Sequence, residues 1–269
     1  MNTEQVIKNI RNEFKTYMKN TDRKSVVLGV SGGIDSALIA VLVKPVCDEI
    51  GIKLLGYSLP TNTNKPDEIN RANNIGNYFC TKFSVQYIEK FVNSFVEEDD
   101  TYTEFMILDN DKDKKVAQGN IKARTRMILL YNHAFCNKGL VLSTDNLTEY
   151  QLGFSTIMGD WGDLGLIQYL WKTEVYQLSQ WIVDNELKTG EEKKALQDCI
   201  NAIPTDGLGI TNSDLDQIGV STYKEVDDIL KSYLENKIGD INNPVIQRHI
   251  KSQFKRNWPI TLKREVLFK

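Results

Sequence analysis

Apolar runs and polar turns alternate along the first half of the chain at the spacings of strands and helices. Val26-Val27-Leu28-Gly29-Val30 is a short apolar run, followed by the small-residue turn Ser31-Gly32-Gly33 and an amphipathic segment to about Ile50. This predicts strand, tight loop and helix, and the unbroken apolar run predicts a strand covered on both faces. Upstream, Ile7, Ile10, Phe14 and Tyr17 recur at helical spacing between Glu4 and Met18, the pattern of a helix packing on the sheet or on a partner. Downstream, Lys53 to Leu59 reads as a second strand, Pro66 to Phe79 as a helix with proline in its first turn, and Lys82 to Ile88 as a third strand. The order βαβαβ predicts an α/β fold: a three-layer, doubly wound, mostly parallel sheet with helices on both faces.

The pattern breaks from Glu97 to Lys115, a charge-dense stretch with little periodicity that reads as a solvated loop. Its Asp109-Asn110-Asp111-Lys112-Asp113 invites a calcium-loop reading. That reading fails because Lys114 holds the glycine position and Asn120 the closing glutamate position. Asn120 to Asn137 is predicted to be a helix with Ile121, Ile128, Tyr131 and Phe135 on one stripe. Arg124 falls within that stripe, so its guanidinium either pairs in the core or reaches a ligand. Lys122 and Arg126 lie on another face and read as solvated. Gly139 to Ser143 reads as a fourth strand ending in Thr144-Asp145-Asn146, with Glu149 starting the next helix. The glycine-rich stretches Met158 to Asp163 and Pro204 to Gly209 read as loops, the first with the make-up of a lid. Lys172 opens a helix to about Asn185, and Tyr223 to Leu234 and Val245 to Phe254 also read as helical. With no repeat and no Pro/Gly/Ser linker, residues 1–269 read as a single domain.

Composition narrows the class. A chain of 269 residues with net charge −3 buries a full core and has no electrostatic reason to bind nucleic acid. Cys47, Cys80, Cys136 and Cys199 are widely spaced and read as reduced thiols of a cytoplasmic protein. His133 and His249 read as packing or surface residues, which leaves no zinc framework. The polar stretch Met1 to Asn9 does not begin a signal peptide, and no apolar run has the length to span a bilayer.

The candidate chemistry lies at strand ends. In open parallel sheets ligands bind off the carboxyl ends of strands. The loop at Ser31, Ser58-Leu59-Pro60 and Thr144-Asp145-Asn146 should therefore converge on one crevice. Gly32 and Gly33 allow close backbone approach, the following helix N-terminus suits phosphate, and Ser31 and Ser36 add hydroxyl donors. Asp35 and Glu149 can share magnesium. A Walker loop is excluded because no lysine follows Gly33, and a dinucleotide fingerprint because its glycines are absent. Ser31-Gly32-Gly33-Ile34-Asp35-Ser36 instead resembles the SGGxDS signature of the ATP pyrophosphatase group, which implies cleavage of ATP to AMP and pyrophosphate.

Further landmarks follow in order. Gly119-Asn120-Ile121-Lys122-Ala123-Arg124-Thr125-Arg126-Met127 is similar to GNxKARxRM, and Thr144-Asp145-Asn146 with Glu149 to TDNxxE. Gly153-Phe154, Gly159-Asp160 and Asp163 come next. Lys172-Thr173-Glu174-Val175-Tyr176 is similar to KTxVY, and Pro204-Thr205 and Lys255-Arg256 complete the series. Together they resemble the ammonia-dependent NAD synthetase family. The resemblance implies that the carboxylate of deamido-NAD is adenylated by ATP and the acyl-adenylate is then amidated by ammonia. It implies that Gly29, Val30, Ser31, Gly32, Gly33, Ile34, Asp35 and Ser36, with Thr144, Lys172 and Thr205, bind ATP. It also implies that Asp35 and Glu149 bind Mg2+, that Asp35, Glu149 and Lys172 carry the catalysis, and that Arg124, Asp163 and Lys255 bind the acid. It further implies a homodimer, to which the helix at Glu4 to Met18 would contribute. No glutaminase domain fits within 269 residues, so the expectation is that free ammonia or a separate donor protein supplies the nitrogen.

The chain departs from the family pattern on the acid side. Ile157 and Met158 replace Lys-Tyr, Phe254 replaces histidine, and Ser58 replaces arginine. A shorter acid, nicotinate mononucleotide, is therefore an alternative substrate. Two further alternatives are a non-catalytic nucleotide-binding relative and an RNA-modifying ATP pyrophosphatase. The second would favour a basic face and paired cysteines, neither of which is visible.

Overall fold

The computed structural model describes residues 1–96, 108, 110–205 and 213–268. Helix α1 (Thr3–Lys19) precedes β1 (Ser25–Gly29), α2 (Ile34–Ile50), β2 (Lys53–Ser58), α3 (Pro66–Phe79), β3 (Lys82–Val85) and α4 (Glu89–Val96). There follow α5 (Asp111–Cys136), β4 (Gly139–Ser143), α6 (Leu147–Leu152), the short β5 (Leu164–Gly165), α7 (Lys172–Asn185) and α8 (Gly190–Ile200). Five more helices complete the described chain: α9 (Asp214–Ile218), α10 (Tyr223–Asn236), α11 (Pro244–Lys251), α12 (Gln253–Arg256) and α13 (Arg264–Leu267).

The sheet is parallel throughout, in the order β3-β2-β1-β4-β5. Central β1 serves two cores because its side chains alternate. Val26 and Leu28 pack with α2, α7 and α8, whereas Val27, opposite Leu55 and Val141, packs with Ile88, Val92, Met127 and Leu130. This is the doubly wound, helix-covered α/β architecture that the apolar runs predict. Covered by α1, α7 and α8, α2 is buried nearly all round and correspondingly apolar. A third cluster, Leu152, Ile218, Val226, Leu230 and Val245, joins α6 to α9, α10 and α11.

Four expectations are corrected. Helix α1 packs on α2 and α7 rather than on the sheet: Ile7, Phe14 and Met18 are buried there, each contributing about 2 kcal/mol. Arg11 fastens α1 with two bonds to Glu186. Strand β3 ends at Val85, and Ile88 turns inward to seat α4. Helix α5 starts at Asp111 rather than Asn120. The Asn110 side chain accepts from Asp113 N at 2.9 Å, and Asp111 and Asp113 suit the positive end of the helix, so the end of the charged stretch is a capped first turn. The rest of that stretch lies outside the described residues, apart from Leu108 and Asn110. Finally, α5 is rolled relative to its apolar stripe. Small Ala123, Thr125 and Ala134 let it lie close to the sheet, with Lys122 buried beside them, while Ile128, Tyr131 and Phe135 face outward.

No described helix is long and apolar enough to cross a membrane. Burial pushes the thiols of Cys47, Cys80 and Cys199 up to about 12, whereas Cys136 is exposed at the end of α5.

Two glycines at helix starts should respond oppositely to alanine. At Gly32, φ is +82° and a Cβ would sit 2.2 Å from the Glu68 carbonyl oxygen. Gly32→Ala should cost at least about 2 kcal/mol. Around Gly190 nothing lies within 4 Å of a Cβ, so Gly190→Ala should stabilise by about 0.5 kcal/mol. Thermal unfolding of the two variants checks the pair.

Candidate active site

The loop after β1 is tied to itself. Ser31 N donates to Ser36 Oγ at 3.2 Å, the two hydroxyls lie 3.1 Å apart, and Gly33 N donates to Ser31 Oγ at 3.2 Å. Its outer side is fixed to α3, where Arg71 Nε donates to Gly32 O at 2.9 Å. The N-terminus of α2 is capped by Gly33 without a side-chain bond and opens into a crevice of about 430 Å³. That arrangement suits an anion.

Three helix starts meet across this crevice. Asp35 is in the first turn of α2, Glu149 in the first turn of α6, and Lys172 is the first residue of α7. The Lys172 ammonium donates to Asp35 Oδ2 at 2.5 Å and to Glu149 Oε1 at 2.9 Å. Asn146 braces both carboxylates. Its Nδ2 donates to Asp35 Oδ1 at 2.8 Å, and its backbone and side chain form a capping box with Glu149. Burial alone would lower the Lys172 pKa, but Asp35 and then Glu149 outweigh it and hold the group well above the ordinary lysine range. Beside them, burial and the charges of Asp160 and Glu149 raise the Asp145 carboxyl well above its usual range, although Ser143 Oγ donates to it at 3.1 Å.

Cationic side chains also line the crevice. Arg126 donates to Leu59 O at 3.1 Å and to Asn64 Oδ1 at 3.3 Å, and the Arg248 guanidinium lies 3.7 Å from the Phe154 ring centroid. Lys255 Nζ donates to Gly153 O at 2.9 Å and Ser155 O at 2.5 Å. Burial, then the charge of Arg248, lowers its pKa. Burial raises that of Asp160, against its bond from Thr156 N and the nearby Arg126 and Lys255.

Most of the sequence-predicted residues meet here. Gly29, Val30, Ser31, Gly33, Ile34, Asp35, Ser36, Thr144, Glu149, Lys172, Thr205 and Lys255 line the crevice. Gly32 backs onto α3 instead. Arg124 is not buried as its stripe suggests: it is exposed, outside the crevice, and its Nε donates to Ile157 O at 3.2 Å. Asp163 lies at the sheet edge, where Oδ2 accepts from Val141 N at 2.8 Å. Lys122 and Arg126, expected in solvent, are on the inner face of α5, and Lys122 Nζ donates to Thr63 Oγ1 at 3.1 Å. Of Pro204 to Gly209, only Pro204 and Thr205 are described; Thr205 Oγ1 donates to Glu68 Oε1 at 2.8 Å.

Sequence reasoning missed Glu68, Arg71, Arg126 and Arg248 as crevice residues. The one signal was the four-residue step from Lys122 to Arg126, which puts both on the same face of α5. Among the described residues, no group of three or more His, Cys, Asp or Glu side chains forms a metal cage. Asp35 and Glu149 do fit magnesium, which takes one or two carboxylates and completes its shell with water and phosphate.

The NAD synthase family model matches residues 6–259. The chain is 32% identical over 248 residues to the NH3-dependent NAD+ synthetase of Thermoplasma acidophilum, covering 90% of this chain and 91% of that protein. The NMN synthetase from Francisella tularensis has the same fold, with a TM-score of 0.78 at 22% identity over 98% of this chain and 99% of that one. The NH3-dependent NAD synthetase from Campylobacter jejuni, in complex with nitrate, gives a TM-score of 0.72 at 25% identity over 98% and 100% of the two chains. A match that spans nearly the whole chain, in sequence as in fold, makes this enzyme a ligase of the NAD synthase family.

Proposed function

We propose that the enzyme amidates deamido-NAD to NAD with ammonia at the expense of ATP. The observation that carries the reading is the meeting of the α2 phosphate loop with the Asp35–Lys172–Glu149 cluster in a crevice that cationic side chains also line. A carboxylate oxygen of the acid attacks the α-phosphorus of ATP, the bond to the β-phosphate bridging oxygen breaks, and pyrophosphate leaves. Ammonia then attacks the acyl carbon of the adenylate, loses a proton, and AMP departs with the electrons of the C–O bond.

The chain's part is mainly electrostatic. Ser31, Gly33 and Ser36 hold the nucleotide at the α2 N-terminus, with Thr144 and Thr205 at its sides. Lys172, kept cationic by its surroundings, balances charge on the phosphates. Asp35 and Glu149 would hold Mg2+, which neutralises the leaving pyrophosphate. Lys255 and Arg248 attract the anionic acid. Arg124 and Asp163, outside the crevice lining, are assigned to the acid by the family pattern.

One observation favours nicotinate mononucleotide as the alternative acid. Met158 and Phe254 are exposed apolar side chains where the family pattern has tyrosine and histidine, so two polar contacts to a larger acid are missing. Incubation with ATP, magnesium and ammonium should yield AMP and the amide with deamido-NAD. Product with the mononucleotide alone would shift the assignment to the shorter acid, and silence with both would refute amidation. Asp35→Asn should lower pyrophosphate release at least about 100-fold with an unchanged circular dichroism spectrum; near-normal turnover would remove Asp35 from the magnesium site.

The apolar face of α1 is spent in the core, so the homodimer contact is assigned to the outward side chains Phe91 and Phe95 of α4 and Ile128, Tyr131 and Phe135 of α5. Apolar side chains exposed on two packed helices suit an interface with a second copy. The wild type should scatter light as a dimer at micromolar concentration and Phe135→Asp as a monomer; an unchanged mass would exclude this face.

A further inference from the structure

Lys172 is poorly placed by itself: a buried cation at the first position of α7 faces the positive end of the helix dipole. Its ammonium is answered by Asp35 and Glu149, and the backbone of its helix start is held by the Thr148 hydroxyl and a further carboxylate, Asp227. Trp171, the N-cap of α7, makes no side-chain cap bond. The first-turn amides turn to other elements instead. Lys172 N donates to Thr148 Oγ1 at 2.8 Å, and Thr173 N donates to Asp227 Oδ2 at 3.0 Å. Asp227, fully buried on α10, also accepts from Thr173 Oγ1 at 2.7 Å and, through Oδ1, from Thr148 Oγ1 at 2.5 Å. One helical turn earlier on the same face, the Tyr223 ring centroid lies 5.3 Å from Lys172 Nζ.

Thr148 precedes Glu149 and Thr173 follows Lys172. Asp227 therefore grips the neighbour of each charged partner while standing outside the crevice. We propose that Asp227 is a positioning residue for the reaction, clamping the first turns of α6 and α7 so that Glu149 and Lys172 keep their working separation. The proposal rests on the ATP-dependent amidation described above. It gives α10, which contributes Val226 and Leu230 to the third core cluster, a part in the catalysis as well.

The test compares Asp227→Asn, Asp227→Ala, Thr148→Val and the double variant Asp227→Ala/Thr148→Val with Leu230→Ala. Leu230 is buried in the same cluster but does not take part in the clamp. Loss of the clamp should lower kcat about 30-fold in Asp227→Ala with a smaller change in the KM for ATP, since misplaced catalytic groups cost rate. Asp227→Asn should recover part of that, because its amide oxygen still accepts from Thr173. The double variant should be no worse than Asp227→Ala, as expected for coupled neighbours. Leu230→Ala should lose as much thermal stability but keep kcat within about threefold, because its cavity leaves the clamp intact. Equal kcat losses in Leu230→Ala and Asp227→Ala, or wild-type kcat in both Asp227 variants, would overturn the proposal. If the wild type itself makes no AMP with either acid, amidation fails separately. Asp227 is then judged by calorimetric ATP affinity in magnesium. A fall of about fivefold or more in Asp227→Ala, absent in Leu230→Ala, supports the clamp, and equal affinities refute it.

Discussion

A lysine ammonium buried among helix starts is the constraint on which the crevice depends. Left alone there, it would cost several kcal/mol. Asp35 and Glu149 make it tolerable, and their placement fixes much of the local chain. Asp35 comes within reach only because the chain turns sharply at Gly32 with positive φ. Glu149 is oriented because its other oxygen closes the capping box with Asn146, whose amide also holds Asp35. The cluster is thus a cross-link between three helices that share no sequence neighbourhood.

Those helices converge because of the sheet. In a parallel sheet the carboxyl ends of neighbouring strands lie on one side, and β1 and β4 are adjacent in the order found. Each delivers its following helix N-terminus first to the same edge. The alternation within β1 places one valine in each core, so shifting its register would disturb both helical layers at once.

The sequence was informative where local chemistry decides structure. The parallel sheet followed from short apolar runs. The start of α7 at Lys172 was read as found, and α6, read from Glu149, begins at Leu147 because Asn146 caps it. It was less informative where two faces of one helix compete. Helix α5 carries apolar residues on both sides, and the size of Ala123 and Ala134 decides which side meets the sheet. Periodicity counts apolarity but not volume, so Arg124 was read inward and Lys122 outward. Helix α8 was missed although Thr189 and Glu192 form a capping box there, because the following residues carry few apolar side chains. Arg248 and Asp227 left no trace, since each acquires its place from contacts far along the chain.

The contrast among the four thiols has a practical side. Three are held protonated by burial, while Cys136 is exposed next to Phe135 on the outward side of α5. A maleimide probe would therefore attach at one address. That address is not among the crevice residues. The wild-type chain thus carries its own labelling handle away from the site of catalysis, and turnover can be measured on the labelled enzyme in the same cuvette.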